Sequence, residues 1–162
     1  MKKTIILLII TSLLLIIGCT PPIGIVSGDS MEPTVSNGDL LFIDSRAETF
    51  ERGDIIVFEA QYDCECLTHF KRVIAVAGDA IYIDIVEGNV YLNGEILDEP
   101  YIMEPMRTSG SFMRSGEFSR ENPFVVEDGY VFVMGDNRNN SNDSRGNGPV
   151  SLERIRGRVT IR

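Results

Sequence analysis

Residues 68–94 read THFKRVIAVAGDAIYIDIVEGNVYLNG, and this stretch decides the fold. It holds successive short runs rich in valine, isoleucine, phenylalanine and tyrosine, which are residues that favour extended strands. Turn signals separate these runs, and Asn93-Gly94 is typical of the tight turns that join antiparallel strands. The apolar residues show almost no helical period. The stretch therefore predicts consecutive antiparallel strands.

The same alternation of strand and turn continues on both sides of this stretch. Turn signals at residues 37–39 and 128–129 separate further runs of strand-forming residues. Residues 105–123 are rich in serine, glycine, arginine and methionine without a clear period, which predicts a mobile excursion. The fold class is predicted to be mainly β and antiparallel, in one domain over residues 23–162. The predicted strands cover residues 40–44, 54–59, 69–77, 80–86, 89–92 and 130–134.

Length and charge limit the classes of function. The chain has 162 residues, which is room for one domain with a core behind an N-terminal segment. Its 24 Asp and Glu residues outnumber the 15 Lys and Arg residues and give a formal net charge of -9. This charge repels phosphate backbones, and no long basic run offsets it. We therefore expect no nucleic-acid partner.

Residues 1–22 have the pattern of a membrane-targeting segment. Two lysines at positions 2 and 3 precede an almost entirely apolar run over residues 4–17, and no further charge occurs before Asp29. Counted as far as Val26, the uncharged stretch is long enough to span a bilayer. The segment is therefore predicted to be an N-terminal membrane-anchoring helix, with its lysines in the cytoplasm and the folded part outside.

A lipoprotein signal is the other interpretation of this segment. The residues at positions 16–19, Ile-Ile-Gly-Cys, resemble a lipoprotein box, at which cleavage would leave a lipidated Cys19 as the new N-terminus. A plain secretory signal is disfavoured, because no Ala-x-Ala site occurs near residue 20 and two prolines follow at once. Both interpretations place the folded part on the extracytoplasmic side of the cell membrane and make membrane lipid an expected partner.

A candidate nucleophile lies in residues 27–39, which read SGDSMEPTVSNGD. Ser30 sits between Gly28 and Met31 in a turn-rich segment, where a hydroxyl group can be exposed and held. Its backbone N–H can help to form an oxyanion hole, and Gly28 lets a substrate carbonyl group approach without a Cβ in the way. The alternative is an ordinary turn between the N-terminal segment and the first strand.

A serine hydroxyl group needs a base, and His69 and Lys71 are the candidates. In an extended strand the two residues share one face, so both can point toward Ser30. A lysine can act as a base near neutral pH only if desolvation and nearby cations lower its pKa by about three units from ~10.4. The alternative is that Lys71 is a surface charge on an ordinary strand.

A third polar segment follows the predicted strand 130–134. Residues 135–149 read GDNRNNSNDSRGNGP, which is equally typical of a long surface loop. Its serines and its paired opposite charges also suit a set of side chains that holds a buried amine in place. Ser141, Asp143 and Arg145 are the candidates for this role.

Cys64 and Cys66 raise the question of a metal. Together with His69 they offer up to three zinc-like ligands, whereas a closed structural zinc site needs four. No metal and no cofactor are therefore predicted. The two thiols are expected either to be free or to form a strained disulfide bond in an oxidising compartment, and the sequence leaves both states open.

Three of these segments resemble one known family. The GDSMEPT sequence at 28–34 resembles the nucleophile box shared by signal peptidases I and the self-cleaving repressor peptidases. KRVIAVAGD at 71–79 is similar to the lysine box of bacterial-type signal peptidases, and the eukaryotic-type enzymes have histidine in place of the lysine. GDNRxxSxDSR at 135–145 has no counterpart in the repressor peptidases. The chain thus resembles bacterial-type signal peptidase I, of the serine/lysine peptidase family S26, and VYLNGEILDEPYI at 90–102 resembles that family's hairpin.

The resemblance implies a role for each site residue. Ser30 would be the nucleophile and Lys71 the general base, with His69 as the fallback base. Ser141 would form a hydrogen bond with the Lys71 amine and orient it. Asp143 and Arg145 would form a supporting ion pair, and residues 135–138 would shape the loop beneath the dyad. Some members have a serine where this chain has Gly28, so here the oxyanion would rest mainly on backbone N–H groups.

The implied fold is a signal-peptidase-like β fold, and the implied activity is the removal of N-terminal signal peptides from exported preproteins by a membrane-bound serine endopeptidase. Cleavage would follow a small residue, with a second small residue two positions earlier. A repressor-type peptidase would require a DNA-binding helical domain, which is not apparent. The alternative from another class is an extracytoplasmic β-rich lipoprotein with a non-enzymatic binding role. The sequence leaves open whether the enzyme has broad or dedicated substrates and what its oligomeric state is.

Overall fold

The computed structural model describes residues 23–60, 68–107 and 118–161. Over these ranges the chain forms eleven strands, a short helix α1 (Ser144–Asn147) and a 3-10 turn (Leu152–Arg154). The strands are β1 (Ile23–Ile25), β2 (Leu40–Asp44), β3 (Ile55–Glu59), β4 (Thr68–Val76), β5 (Ala80–Asp84), β6 (Asn89–Leu92), β7 (Glu95–Ile96), β8 (Phe124–Val125), β9 (Tyr130–Met134), β10 (Val150–Ser151) and β11 (Ile155–Thr160).

The strands form two antiparallel sheets. The larger sheet has seven strands in the order β1-β2-β11-β3-β4-β9-β10, and the smaller one has four in the order β7-β6-β5-β8. Every recorded pairing between neighbouring strands is antiparallel. The prediction of a mainly β, antiparallel fold is therefore confirmed.

Most predicted strands agree with the structure to within one residue at an end. The predictions at 40–44, 89–92 and 130–134 coincide with β2, β6 and β9. The run predicted over 80–86 ends early, because the chain turns after Asp84 and the Gly88 N–H donates to the Asp84 carbonyl oxygen at 2.7 Å. The four strands of two or three residues, β1, β7, β8 and β10, are too short for a pattern to reveal.

The sequence prediction lacks β11, which pairs with β2 and β3 inside the larger sheet. Its sequence IRGRVT is interrupted by two arginines and a glycine, which weaken the apolar signal. In the structure Arg156 forms hydrogen bonds with Glu59 on β3, so the charge is accommodated at the surface. Gly157 lies at a shift in register, where a Cβ atom would come within 2.6 Å of the Asp44 carbonyl oxygen.

The prediction of a mobile excursion over residues 105–123 is wrong at its described ends. Met106 and Phe118 are buried in the core beside the smaller sheet, and the Phe118 ring lies 5.4 Å from that of Phe132. Isolated apolar residues in a polar segment create no period, yet each is buried when the fold brings it to the core. Residues 108–117 lie outside the described ranges.

Strand β4 connects the three hydrophobic clusters of the described core. Phe70 packs with Met31 in one cluster, Val73 with Val133 in a second, and Ile74 with Phe132 in the third. Burial of each such side chain contributes roughly 1.5–3 kcal/mol. Because β4 also carries Lys71, the base candidate stands on a strand that is fixed by packing on both faces.

The predicted anchoring helix and the two cysteines at positions 64 and 66 lie outside the described residues. Within the described ranges, no helix combines the length and the apolar character that crossing a membrane requires.

Candidate active site

The side chains of Ser30 and Lys71 meet, although they lie 41 positions apart in the chain. The Lys71 amine nitrogen, Nζ, donates a hydrogen bond to the Ser30 hydroxyl oxygen, Oγ, at 2.7 Å and a second to the Phe70 carbonyl oxygen at 3.0 Å. Only 3% of the Lys71 surface is exposed. A desolvated amine that contacts a serine hydroxyl group is positioned to act as its general base.

The loop that carries Ser30 is held by the residue that follows it. Met31 is buried among Val26, Val35 and Phe70, so its side chain anchors the loop to the larger sheet. Hydrogen bonds from the Glu32 N–H to the Asp29 carbonyl oxygen at 3.2 Å and from Val35 to Met31 at 3.0 Å close the turn. Met31 thus holds the loop that carries Ser30 in place by packing.

Gly28 lies two residues before Ser30 with a φ of +97°, a backbone conformation that residues other than glycine rarely adopt. A Cβ atom at this position would meet no atom within 4 Å, so the space beside it is open. Gly28, Ser30 and Lys71 line one groove of about 470 Å³, and Val26, Met31 and Phe70 supply apolar lining.

Burial lowers the pKa of Lys71 from 10.5 to about 8. The negative charge of Asp143 opposes this effect, and the positive charge of Arg145 adds to it. At pH 7 about one amine in ten is then neutral, compared with about one in 3,000 for an unperturbed lysine with a pKa of 10.5. The site therefore supplies a neutral amine near physiological pH, by the desolvation that the sequence suggested.

Ser141 lies in the site, but its hydrogen bond differs from the expected one. Its hydroxyl group donates to Asp143 Oδ2 at 2.7 Å, and the Lys71 amine donates to Ser30 and Phe70. Among the described residues, no hydrogen bond joins Ser141 to Lys71, so the prediction of a direct contact is wrong for this structure. The ionised carboxylate of Asp143 is a stronger acceptor for the hydroxyl proton than the Lys71 amine is.

Asp143 and Arg145 form the expected ion pair, and both are buried. Arg145 donates to both carboxylate oxygens at 2.8 Å, and the Gly135 N–H donates to Oδ2 at 3.0 Å. Burial by itself would raise the pKa of Asp143, but its hydrogen bonds with Arg145 and that residue's charge bring the pKa below its usual value. The carboxylate therefore remains ionised beneath the dyad.

A second ion pair supports the dyad from the other face of β4, and the sequence did not identify it. Arg72 donates to both carboxylate oxygens of Asp136, at 2.8 and 2.6 Å, and Thr34 donates to Oδ2 at 2.5 Å. These hydrogen bonds join the loop that carries Ser30, called the serine loop below, to strand β4 and to the third polar segment. Successive side chains of a strand point to opposite faces, so Arg72 points away from Lys71. This alternation was the sequence signal that could have indicated the ion pair.

Arg138 and Glu99 form a third buried ion pair. Arg138 Nη1 donates to Glu99 Oε2 at 2.9 Å, and its Nε donates to the Gly135 carbonyl oxygen at 3.0 Å. The guanidinium group of Arg72 lies 4.1 Å from the centre of the Tyr101 ring. Arg138 thus ties the loop at residues 135–138 to Glu99, and neither Glu99 nor Tyr101 carried a sequence signal for these contacts.

His69 lines the same groove as the dyad. Burial, and then the positive charge of Lys71, lower the pKa of His69 below 6.5. The atom next to Ser30 Oγ at 2.7 Å belongs to Lys71. Among the described residues no group of three side chains suited to a metal occurs, and residues 63–66 lie outside the described ranges.

Comparisons with known proteins agree with this geometry. The family model described as "Signal peptidase, peptidase S26" matches residues 1–162. Signal peptidase I of Bacillus licheniformis is 34% identical over 82% of this chain and 71% of its own length. The probable signal peptidase I-2 of Synechocystis sp. is 37% identical over 85% of this chain. The match covers 60% of the length of that relative.

A solved structure shares the fold. The crystal structure of a signal peptidase I from Enterococcus faecalis V583 is similar with a TM-score of 0.51 and 26% identity, covering 69% of this chain and 97% of that one. The antiparallel architecture and the two sequence comparisons point to the same family. The chain belongs to the signal peptidase, peptidase S26, family.

Proposed function

We propose that this chain, a serine endopeptidase of the signal peptidase family, removes signal peptides with Ser30 as nucleophile and Lys71 as general base. The observation that carries the proposal is the 2.7 Å contact between the Lys71 amine and the Ser30 hydroxyl group in a site where burial lowers the lysine pKa to about 8. A surface lysine has neither feature.

The proposed reaction is acyl transfer in two steps. The neutral Lys71 amine takes the hydroxyl proton as Ser30 Oγ attacks the scissile carbonyl group, and the Ser30 N–H stabilises the oxyanion. Lys71 then returns the proton to the leaving amine, and an acyl-enzyme ester on Ser30 remains. A water molecule hydrolyses this ester, with Lys71 again as the base. No cofactor takes part.

Ser141, Asp143 and Arg145 are proposed to support the dyad without contacting the substrate. Asp143 compensates the charge of Arg145 and receives hydrogen bonds from Ser141 and Gly135. Gly135 must remain small, since a Cβ atom there would lie 2.4 Å from the Ser30 carbonyl oxygen and 2.3 Å from the Ser141 hydroxyl oxygen. These contacts fix the backbone of Ser30 against the third polar segment.

The proposed substrates are exported preproteins that carry a small residue at the cleavage position and another two residues earlier. The groove beside Ser30 supports this choice, because it is open at Gly28 and has an apolar lining at Met31 and Phe70. Side chains that face such a lining must be compact and uncharged to bring the scissile bond within reach of the hydroxyl group.

We also propose that residues 1–22 tether a catalytic domain, residues 23–162, to the extracytoplasmic face of the cell membrane. One face of the β1–β2 ribbon supports this, because it exposes a continuous apolar surface directly after the N-terminal segment. Signal peptides end at the same surface, so tethering raises the effective concentration of the substrate. The exposed residues, called the apolar face below, are Ile23, Ile25, Leu40 and Phe42.

Cleavage of a preprotein by the purified full chain in detergent tests the enzymatic proposal. The wild type should cleave the preprotein, whereas the cleavage rates of Ser30→Ala and Lys71→Ala should be more than about a thousandfold lower. Ser36→Ala, in the same loop, is the matched control and should keep full activity. Substantial cleavage by either dyad variant would refute the assignment. Mass spectrometry of the mature N-terminus separates a retained anchor from a lipidated Cys19.

A further inference from the structure

Asn137 contacts the backbone on both sides of the nucleophile. Its side-chain amide, Nδ2, donates to the Asp29 carbonyl oxygen at 3.1 Å. Its backbone N–H donates to the Ser30 carbonyl oxygen, also at 3.1 Å. One residue from the third polar segment therefore holds two consecutive carbonyl groups, and the Ser30 Cα lies between them.

The first of these contacts determines where the Ser30 N–H points. The Asp29 carbonyl group and the Ser30 N–H belong to one planar peptide unit, in which the C=O and N–H bonds point in opposite directions. Holding the carbonyl oxygen therefore fixes the direction of the N–H bond. Hydrogen bonds from Asn137 and from the Glu32 N–H, at 3.1 and 3.2 Å, also polarise this unit and make its N–H a stronger donor.

The Ser30 N–H itself is available to a substrate. Among the described residues, none accepts a hydrogen bond from it. Ser30 faces the groove together with Gly28, which has no hydroxyl group to offer as a second donor. Stabilisation of the oxyanion therefore depends on how well this single backbone N–H is aimed.

From these contacts we propose that Asn137 is the positioning residue of the oxyanion hole. It does not touch the substrate; it orients and polarises the peptide unit whose N–H does. Its own backbone is held by neighbours, because Asp136 is paired with Arg72 and the Asn140 N–H donates to the Asn137 carbonyl oxygen at 3.0 Å. This inference rests on the proposed role of Ser30 as nucleophile.

Two substitutions separate this role from general support of the loop. Asn137→Ala removes the side-chain donor and keeps the backbone N–H. Asn137→Asp keeps the shape but turns a carboxylate oxygen toward the Asp29 carbonyl oxygen. The matched control is Asn139→Ala, which loses hydrogen bonds to Glu104, Pro105 and Arg107 but none to the serine loop.

The decisive measurement compares two inhibitors with the sequence of the signal peptide up to the cleavage site. A peptide aldehyde forms a tetrahedral adduct with Ser30 Oγ and places its oxygen in the oxyanion hole, whereas the corresponding peptide alcohol binds only in the groove. For Asn137→Ala we expect kcat to fall about 10- to 100-fold, with KM within about twofold of the wild type. Aldehyde affinity should fall by a similar factor, and alcohol affinity should not change.

Asn137→Asp should lose more activity than Asn137→Ala, and Asn139→Ala should behave as the wild type in all assays. The proposal is overturned if Asn137→Ala keeps the wild-type kcat, if the aldehyde and the alcohol weaken equally, or if Asn139→Ala loses as much activity. A wild-type enzyme that cleaves no faster than Ser30→Ala would instead defeat the proposed function. The two failures are therefore distinguishable.

Discussion

The dependence of the cleavage rate on pH tests the roles of Lys71 and His69 together. Lys71 must be neutral to accept the Ser30 proton, and burial lowers its pKa to about 8. We therefore expect kcat/KM to rise about tenfold per pH unit below pH 8 and to level off above it. The direction follows from the charge, since raising the pH through the pKa converts the ammonium group to the active amine.

The structure also sets the size of the effect. At pH 7 the neutral fraction of Lys71 is about 300-fold greater at a pKa of about 8 than at 10.5. An unperturbed lysine would instead give a rate that still rises at pH 10. A histidine base would give a midpoint below pH 6.5, because burial and the charge of Lys71 lower the pKa of His69.

Initial rates are measured between pH 6 and 10 for the full chain in detergent, with a peptide that spans a signal-peptide cleavage site. The wild type and His69→Gln should both show a midpoint at about pH 8. A midpoint below 6.5, or loss of activity in His69→Gln, would transfer the base role to His69. A rate that still rises at pH 10 would show that the amine is not desolvated.

Two further predictions concern stability and location. Asp143→Asn should lower the free energy of unfolding by about 3–5 kcal/mol, because it leaves the buried Arg145 without its carboxylate. Glu59→Gln, which disrupts an exposed ion pair, should leave it almost unchanged; thermal unfolding followed by circular dichroism measures both, and equal losses would contradict the burial argument. Leu40→Asp on the apolar face should weaken binding of the full chain to lipid vesicles, whereas Val86→Asp, at an even more exposed apolar residue in the turn after β5, should not. Similar binding by the two variants would show that the apolar face does not meet the membrane.

Local patterns revealed much of the fold and part of the site. Strands β2, β6 and β9 were predicted at their observed bounds, because alternation and turn residues act over a few neighbouring positions. β11 was missed, since two arginines and a glycine weaken its apolar signal and its place between β2 and β3 depends on partners that are distant in the chain, such as Asp44 opposite Arg158. Met106 and Phe118 were assigned to an excursion for the same reason: only the folded chain brings them to the core.

The sequence by itself determined the types of residue available for catalysis. These are a serine in a glycine-rich turn, a lysine on an apolar strand, and an aspartate and an arginine two positions apart. These are local properties, and the resemblance to a family rests on them. The tertiary structure decided which of them meet. It placed the Lys71 amine 2.7 Å from Ser30 and buried it, turned the Ser141 hydroxyl group toward Asp143, and brought Asn137 to the peptide unit before Ser30. Distance and desolvation arise from contacts between distant segments, which no single stretch of sequence encodes.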